Sequence, residues 1–264
     1  SKTLTIGCLT KMYTCFDKKV VVITGAANGI GKATSTKFAE NGAQVIILDR
    51  DQKNGEVQVE NLTKKGYSAE FFRTDISQHQ EVEKTIAQII SKYGEIHYAF
   101  NNAGTTGAIN KTENCEVDDW LNVINTNLNG VWYCMKYQLK QMSQQNFGVI
   151  VNTSSISGLH GVRNQAAYSA SKHGVIGLTK SAALEYAKTP IRINVICPGW
   201  TETNINQDKA EAVHDTDPLF LSNHVVGRSG NTDEIAEAVL WLSSPLSSFV
   251  NGHTMVVDGG RMAL

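Results

Sequence analysis

The stretch KKVVVITGAANGIG, residues 18–31, decides the fold. It opens with a β-branched apolar run, too short for a helix, that ends in Gly25, Gly29 and Gly31. Beyond the glycines, the pattern predicts a helix over 29–41. A buried strand feeding a helix through a glycine turn leaves backbone N–H groups uncovered at the helix start, where the dipole is positive. Gly25, Asn28, Gly29, Ile30 and Gly31 are therefore candidates to cradle a pyrophosphate. The spacing is G-x-x-x-G-x-G, which departs from the common dinucleotide fingerprint G-x-G-x-x-G. A tight connection is the lesser reading of such a turn, and its placement between an apolar strand and a helix weakens that reading further.

The same rhythm repeats outward along the chain. AQVIILD, SAEFFRTD, IHYAFNNAG, GVIVNTSS, IRINVICPG and HTMVVDGG read as further strands, most followed by an amphipathic segment. Val82, Ile86, Ile89, Ile90 and Tyr93 fall on one helical stripe; Trp120, Val123, Ile124, Leu128, Val131 and Met135 form another, with Asn127 among them. A polar residue on that stripe needs internal partners. Asn231 and Glu234 form a plausible capping box that opens the last helix. Strand–helix alternation of this kind predicts an α/β fold: a single-domain, Rossmann-type, doubly wound parallel sheet with helices on both faces, spanning 18–264. Residues 1–17 stand apart as an N-terminal extension, open to disorder. In such sheets ligands bind beyond the carboxyl ends of the strands, where the polar clusters of this chain lie.

Asp49 ends VIILD, eighteen residues after Gly31. A carboxylate there can accept from both ribose hydroxyls of an adenosine and repels a 2′-phosphate, which favours NAD over NADP. Arg50 next to it pulls weakly the other way, and a helix N-cap is the structural alternative for Asp49.

The bulk composition excludes several classes. The formal net charge is −1 over 264 residues, with no block of Lys or Arg, which argues against nucleic acid as a partner. No apolar run is long enough to span a bilayer. Five cysteines, Cys8, Cys15, Cys115, Cys134 and Cys197, are scattered and odd in number, arguing against a disulfide framework and fitting a reducing cytoplasm. The seven histidines show no metal-ligand spacing, so no metal is expected.

Further motifs complete the picture. After TGAANGIG come TDIS at 74–77, NNAG at 101–104, NLNG at 127–130, TSS at 153–155, Tyr168-x-x-x-Lys172, and PGWTET at 198–203. In this order the chain resembles a short-chain dehydrogenase/reductase of the single-domain branch, from about Lys18 to Gly260. The resemblance implies hydride transfer between NAD(H) and a secondary alcohol or ketone, with Asn127, Ser155, Tyr168 and Lys172 as the catalytic set. Tyr168 is then the general acid/base. A phenol with pKa near 10 needs help at neutral pH, and a Lys172 ammonium about 5 Å away would lower it by about two units. Ser155 would hydrogen-bond the substrate oxygen, and Asn127 would hold a water in a proton relay. Lys172 would also reach the nicotinamide ribose. Asp75 and the backbone of Ile76 correspond to adenine contacts, Asn102 to one near the adenine ribose, and Thr201 and Thr203 to those around the nicotinamide amide. Without the family, Asp75 reads equally as a helix cap, and Asn101 as a brace between strand ends.

The resemblance also implies a homotetramer, with MVVDGG at 255–260 in one interface. Substrate walls are expected from 105–115, 156–165 and 200–228, the last a polar, irregular segment that reads as a lid. His160, Arg163 and Trp200 are as consistent with surface or packing roles as with substrate contact. A different function on the same fold is a non-catalytic NAD(H)-binding sensor or scaffold, since fold does not fix function.

Overall fold

The computed structural model describes residues 14–203 and 225–264. Seven parallel strands form one sheet: β1 (Val20–Thr24), β2 (Gln44–Asp49), β3 (Ser68–Arg73), β4 (Tyr98–Asn101), β5 (Gly148–Thr153), β6 (Ile191–Pro198) and β7 (Thr254–Val257). Their order is 3-2-1-4-5-6-7. The chain therefore winds one way from β1 to β3 and the other from β4 to β7, opening a crevice where the strand order reverses. The expected doubly wound α/β sheet is present.

Strand alternation splits the core into two layers. Val22, Ile46, Leu48, Ala99, Ile150 and Val195 face α3 (His79–Tyr93), α5 (Gly130–Gln144) and α6 (Ala166–Glu185). Val21, Ile23, Val45, Ile47, Phe100 and Val151 face α1 (Gly29–Glu40), α2 (Gln52–Thr63) and the last helix, α7 (Thr232–Ser243). Asn231 and Glu234 cap α7 reciprocally, as their spacing predicts, and Ile235, Val239 and Leu242 are buried. Among the described residues, no helix is long and apolar enough to cross a membrane.

Two expectations need correction. The extension at 1–17 does not stand apart over its last residues. Thr14–Phe16 forms a 3-10 turn, and Phe16 is fully buried, edge-on to Phe38 and Tyr98 at centroid distances of 4.8 and 5.0 Å. Residues 1–13 lie outside the described part. The stripe from Trp120 to Met135 is also not one regular helix. A π-helical turn, Asn125–Asn129, separates α4 (Val117–Ile124) from α5. The i→i+5 bond from Gly130 N–H to Asn125 O inserts an extra residue, which rotates everything before it by about 100°. Trp120 turns outward in consequence and is 38 % exposed, whereas Val131 and Met135 stay buried.

Candidate active site

Glycines build the floor of the crevice. Gly25 adopts φ +66°, and a Cβ on it would stand 2.8 Å from Cα of Ala103, just past β4. Only glycine lets the turn after β1 lie this close to the neighbouring strand end. Asn102 fastens the two, its Nδ2 donating to the carbonyls of Thr24 (3.3 Å) and Gly25 (3.2 Å). Asn28 is the N-cap of α1 but makes no side-chain capping bond, and the first turn holds no acidic residue. The N–H groups of that turn are thus left to an anion bound in the crevice, with Gly25, Asn28, Gly29 and Ile30 in its wall.

Gly31 is different: it does not line the crevice. A Cβ there would overlap the carbonyl oxygen of Gly25 and sit 2.8 Å from Asn102 Nδ2. Its lack of a side chain lets the helix pack against the turn.

Beyond the loop the crevice reaches the ends of β2 and β3. Asp49 lines it, with Oδ2 accepting from Ala27 N–H (3.1 Å) and Oδ1 from Asp51 N–H (3.0 Å). Asp51, not Asp49, caps α2. Arg50 also lines the crevice and is exposed. Asp75 folds into a local turn, accepting from the backbone and hydroxyl of Ser77, and does not cap α3, whose N-cap is Gln78. Asp75 and Ile76 both line the crevice.

At the other end Ser155, Tyr168 and Lys172 converge, and Thr201 and Thr203 also line the crevice. Ser155 follows β5 and caps a short 3-10 turn, accepting from Ser157 N–H (3.1 Å). Tyr168 and Lys172 lie one turn apart near the start of α6; the ammonium stands 5.6 Å from the centroid of the phenol ring. Lys172 is 3 % exposed and donates to the carbonyl of Thr153 (2.9 Å). Thr203 sits against Gly29, on the glycine-loop side, and Thr201 donates to Gly199 O (3.2 Å).

The electrostatics depart from the sequence expectation. Burial pushes the Tyr168 phenol above 10, partly offset by its hydrogen bond with Ser155. Burial also pulls Lys172 down to about 8. The same desolvated wall penalises both charged forms, which works against the phenolate–ammonium pair that the one-turn spacing suggests.

Asn127 is fully buried and does not line the crevice. Its Oδ1 accepts from Thr105 N–H (2.8 Å), and its Nδ2 donates to Thr105 O (2.8 Å) and Ser171 Oγ (3.2 Å). With both donors engaged, the side chain braces the loop after NNAG against α6. Asn101 ties Gln138 to Asn152 and stays out of the crevice, as the brace reading has it. Thr153 is the residue that sequence reasoning missed. It lines the crevice beside Lys172, and its buried Oγ1 has no protein partner. The TSS motif contains it, but only Ser155 carried a chemical expectation. Within the expected lid, residues 204–224, including His214 and His224, lie outside the described part. Among the described residues, no group of three or more His, Cys, Asp or Glu could hold a metal ion.

The crevice fits a dinucleotide by its chemistry: a carboxylate at β2, an uncapped helix start in the middle, and an orphaned buried hydroxyl beside a Ser–Tyr–Lys cluster at the far end. Comparison with known proteins agrees. A family model described as enoyl-(acyl carrier protein) reductase matches residues 25–261. A solved structure of a short-chain type dehydrogenase/reductase from Mycobacterium marinum superposes with a TM-score of 0.88 at 29% identity, covering 94% of this chain and 97% of that one. The chain belongs to the short-chain dehydrogenase/reductase family. Members of this family use a nicotinamide dinucleotide, NAD or NADP. The cyclohexanol dehydrogenase of Acinetobacter sp. (strain SE19) is 39% identical over 244 residues, 92% of this chain and 95% of that protein. The crystal structure of levodione reductase gives a TM-score of 0.89 at 33% identity, covering 94% and 99% of the two chains. The family sheet and crevice are thus present over nearly the whole length described.

Proposed function

We propose that this short-chain dehydrogenase/reductase is an NAD-dependent secondary-alcohol dehydrogenase and ketone reductase with Tyr168 as general acid/base. The observation that carries the reading is the convergence of Ser155, Tyr168 and Lys172 at one end of a crevice built for a dinucleotide. When bound, the nicotinamide supplies the hydride acceptor or donor. The chain's own residues handle the oxygen and its proton. Ser155 Oγ hydrogen-bonds the substrate oxygen and stabilises charge that develops there. Tyr168 Oη gives or takes the proton. Lys172, held by Thr153 O, fixes the phenol from behind and presents a donor to the ribose.

Asp49 supports NAD over NADP. Its carboxylate is held by two backbone N–H groups in the crevice wall at the end of β2, and a 2′-phosphate brought near it would be repelled. The substrate reading draws on relatives named for cyclohexanol and for levodione, both cyclic, with a carbinol or carbonyl carbon at stake. The purified chain is expected to reduce NAD with cyclohexanol, and at least about tenfold more efficiently than NADP. Silence with both coenzymes across a panel of cyclic and acyclic alcohols and ketones would favour the sensor or scaffold reading instead.

The described cysteines, Cys15, Cys115, Cys134 and Cys197, are free, which supports a cytoplasmic setting. A homotetramer is supported by uncovered apolar side chains close to the edge strand β7: Leu246 and Phe249 precede it, and Val256 lies on it. Light scattering is expected to give four times the chain mass; a monomer at micromolar concentration would overturn this assembly.

A further inference from the structure

A chain of buried amides runs beneath the active site and plays no part in the chemistry described above. Asn101 on β4 and Gln138 on α5 form a reciprocal amide pair, at 2.9 and 3.0 Å. Asn101 Nδ2 also donates to Asn152 Oδ1 on β5 (3.0 Å). Asn152 Nδ2 in turn donates to Thr179 Oγ1 on α6 (2.9 Å), and the Thr179 hydroxyl donates to Val175 O (2.8 Å). Each of these four side chains is at most 1 % exposed. Every amide group in the link is satisfied, beside a core layer built of apolar residues. Apolar residues of similar size would fill this space at no desolvation cost, so stability alone does not account for the network.

Its position suggests what it does. Asn152 lies three residues before Ser155, on the strand that delivers that serine. Thr179 lies eleven residues after Tyr168, three helical turns along the same stripe through Lys172 and Val175. The next two residues, Thr153 at the end of β5 and Ser154 just past it, are also bonded to α6: Thr153 O accepts from Lys172 Nζ, and Ser154 Oγ donates to Lys172 O (2.8 Å). These upper two contacts fix α6 against the strand only at the level of Lys172. Further along, α6 is held by core packing of Val175, Ile176, Ala182 and Ala183 and by Asn251 Nδ2, which donates to Ala183 O (3.2 Å), but by no hydrogen bond to β5 other than Asn152–Thr179 among the described residues. The Asn152–Thr179 bond adds a second level roughly 10 Å further down the helix.

We propose that the Asn152–Thr179 hydrogen bond is a positioning device that fixes the tilt of α6 on β5, and so the reach from Ser155 to Tyr168. The idea rests on the reading that Ser155 and Tyr168 act as a pair. Neither Thr179 nor Asn152 touches the crevice.

The test needs no substrate, so it stands apart from any failure to find one. Thr179→Val removes the hydroxyl and keeps the shape. With NADH bound, the ionisation of Tyr168 is read as the tyrosinate absorbance lost on adding Tyr168→Phe to each background. Loosening α6 weakens the Ser155 hydrogen bond to the phenolate, so the midpoint should rise by about half a pH unit or more in Thr179→Val. Thr179→Ser, which restores the hydroxyl, should return it to the wild-type value. NADH affinity should stay within about twofold throughout, because the glycine loop and Asp49 are remote from the link. Should Thr179→Val not fold, Thr179→Ala, which leaves room for a water at Asn152, is read in the same way. An unchanged midpoint, a shift that serine does not rescue, or a parallel loss of NADH affinity would each overturn the proposal.

Discussion

Tyr168→Phe should lower turnover by about a thousandfold, the range expected for losing a general acid/base, while NADH binding stays intact. The phenyl ring keeps the contact beneath the Lys172 ammonium and keeps its place on α6. Fold and coenzyme site are therefore spared, and only the proton-carrying oxygen is lost. The pH dependence follows from the direction of the shift. Burial raises the phenol above its usual 10, so at neutral pH Tyr168 is protonated. Ketone reduction uses that form and should be nearly independent of pH around neutrality. Alcohol oxidation needs the phenolate, so its rate should climb by about tenfold per pH unit on the acid side of the midpoint. Lys172, pulled down to about 8, loses its charge within that climb, which withdraws its support from the phenolate and flattens the slope above about pH 8. Steady-state rates in both directions, for the wild type and Tyr168→Phe, check this. Residual turnover above a tenth of wild type, or an oxidation rate flat with pH, would assign the proton to another group.

Much of this site could be read from the chain because its signals are local. An apolar strand that breaks into glycines announces its own turn, and Asn231 with Glu234 announces a helix start in four letters. Tyr168 and Lys172 are likewise neighbours on one helix, although their pairing gained meaning only from motifs elsewhere along the chain. What escaped depends on contacts between distant segments. Phe16 sits in a short stretch with no periodicity, and its burial comes from Phe38 and Tyr98, brought to it by the sheet. Trp120 fits the apolar stripe by counting, yet the π turn at Asn125–Asn129 changes the phase of that count. The pKa directions escaped for a similar reason. Spacing fixes how far apart a phenol and an ammonium stand, but the walls from β5 and β6 decide how much water either one keeps. Gly31 shows the subtlest gap: its place in the motif was plain, but which atom it makes room for was not.

Gly31→Ala should weaken NADH binding by about a hundredfold, or ~3 kcal/mol. The added Cβ would overlap Gly25 O, a backbone atom that cannot rotate away. The turn has nowhere to retreat, since Gly25 already lies against Ala103 on its other side, at the limit set by φ +66°. Relief must come from moving α1 away, which carries its N-terminal N–H groups out of line with the anion they hold. A stability loss of about 1–3 kcal/mol should accompany the change, as for other overpacked sites. Gly66→Ala separates strain from contact. Gly66 has φ +82° with nothing within 4 Å of a Cβ, so alanine there should cost ~1 kcal/mol of stability and leave NADH binding unchanged. Fluorescence titration with NADH and thermal melts of the two variants make the comparison. Should Gly31→Ala bind NADH within about threefold of wild type, the glycine is dispensable for the cradle, and the helix start is not what holds the pyrophosphate.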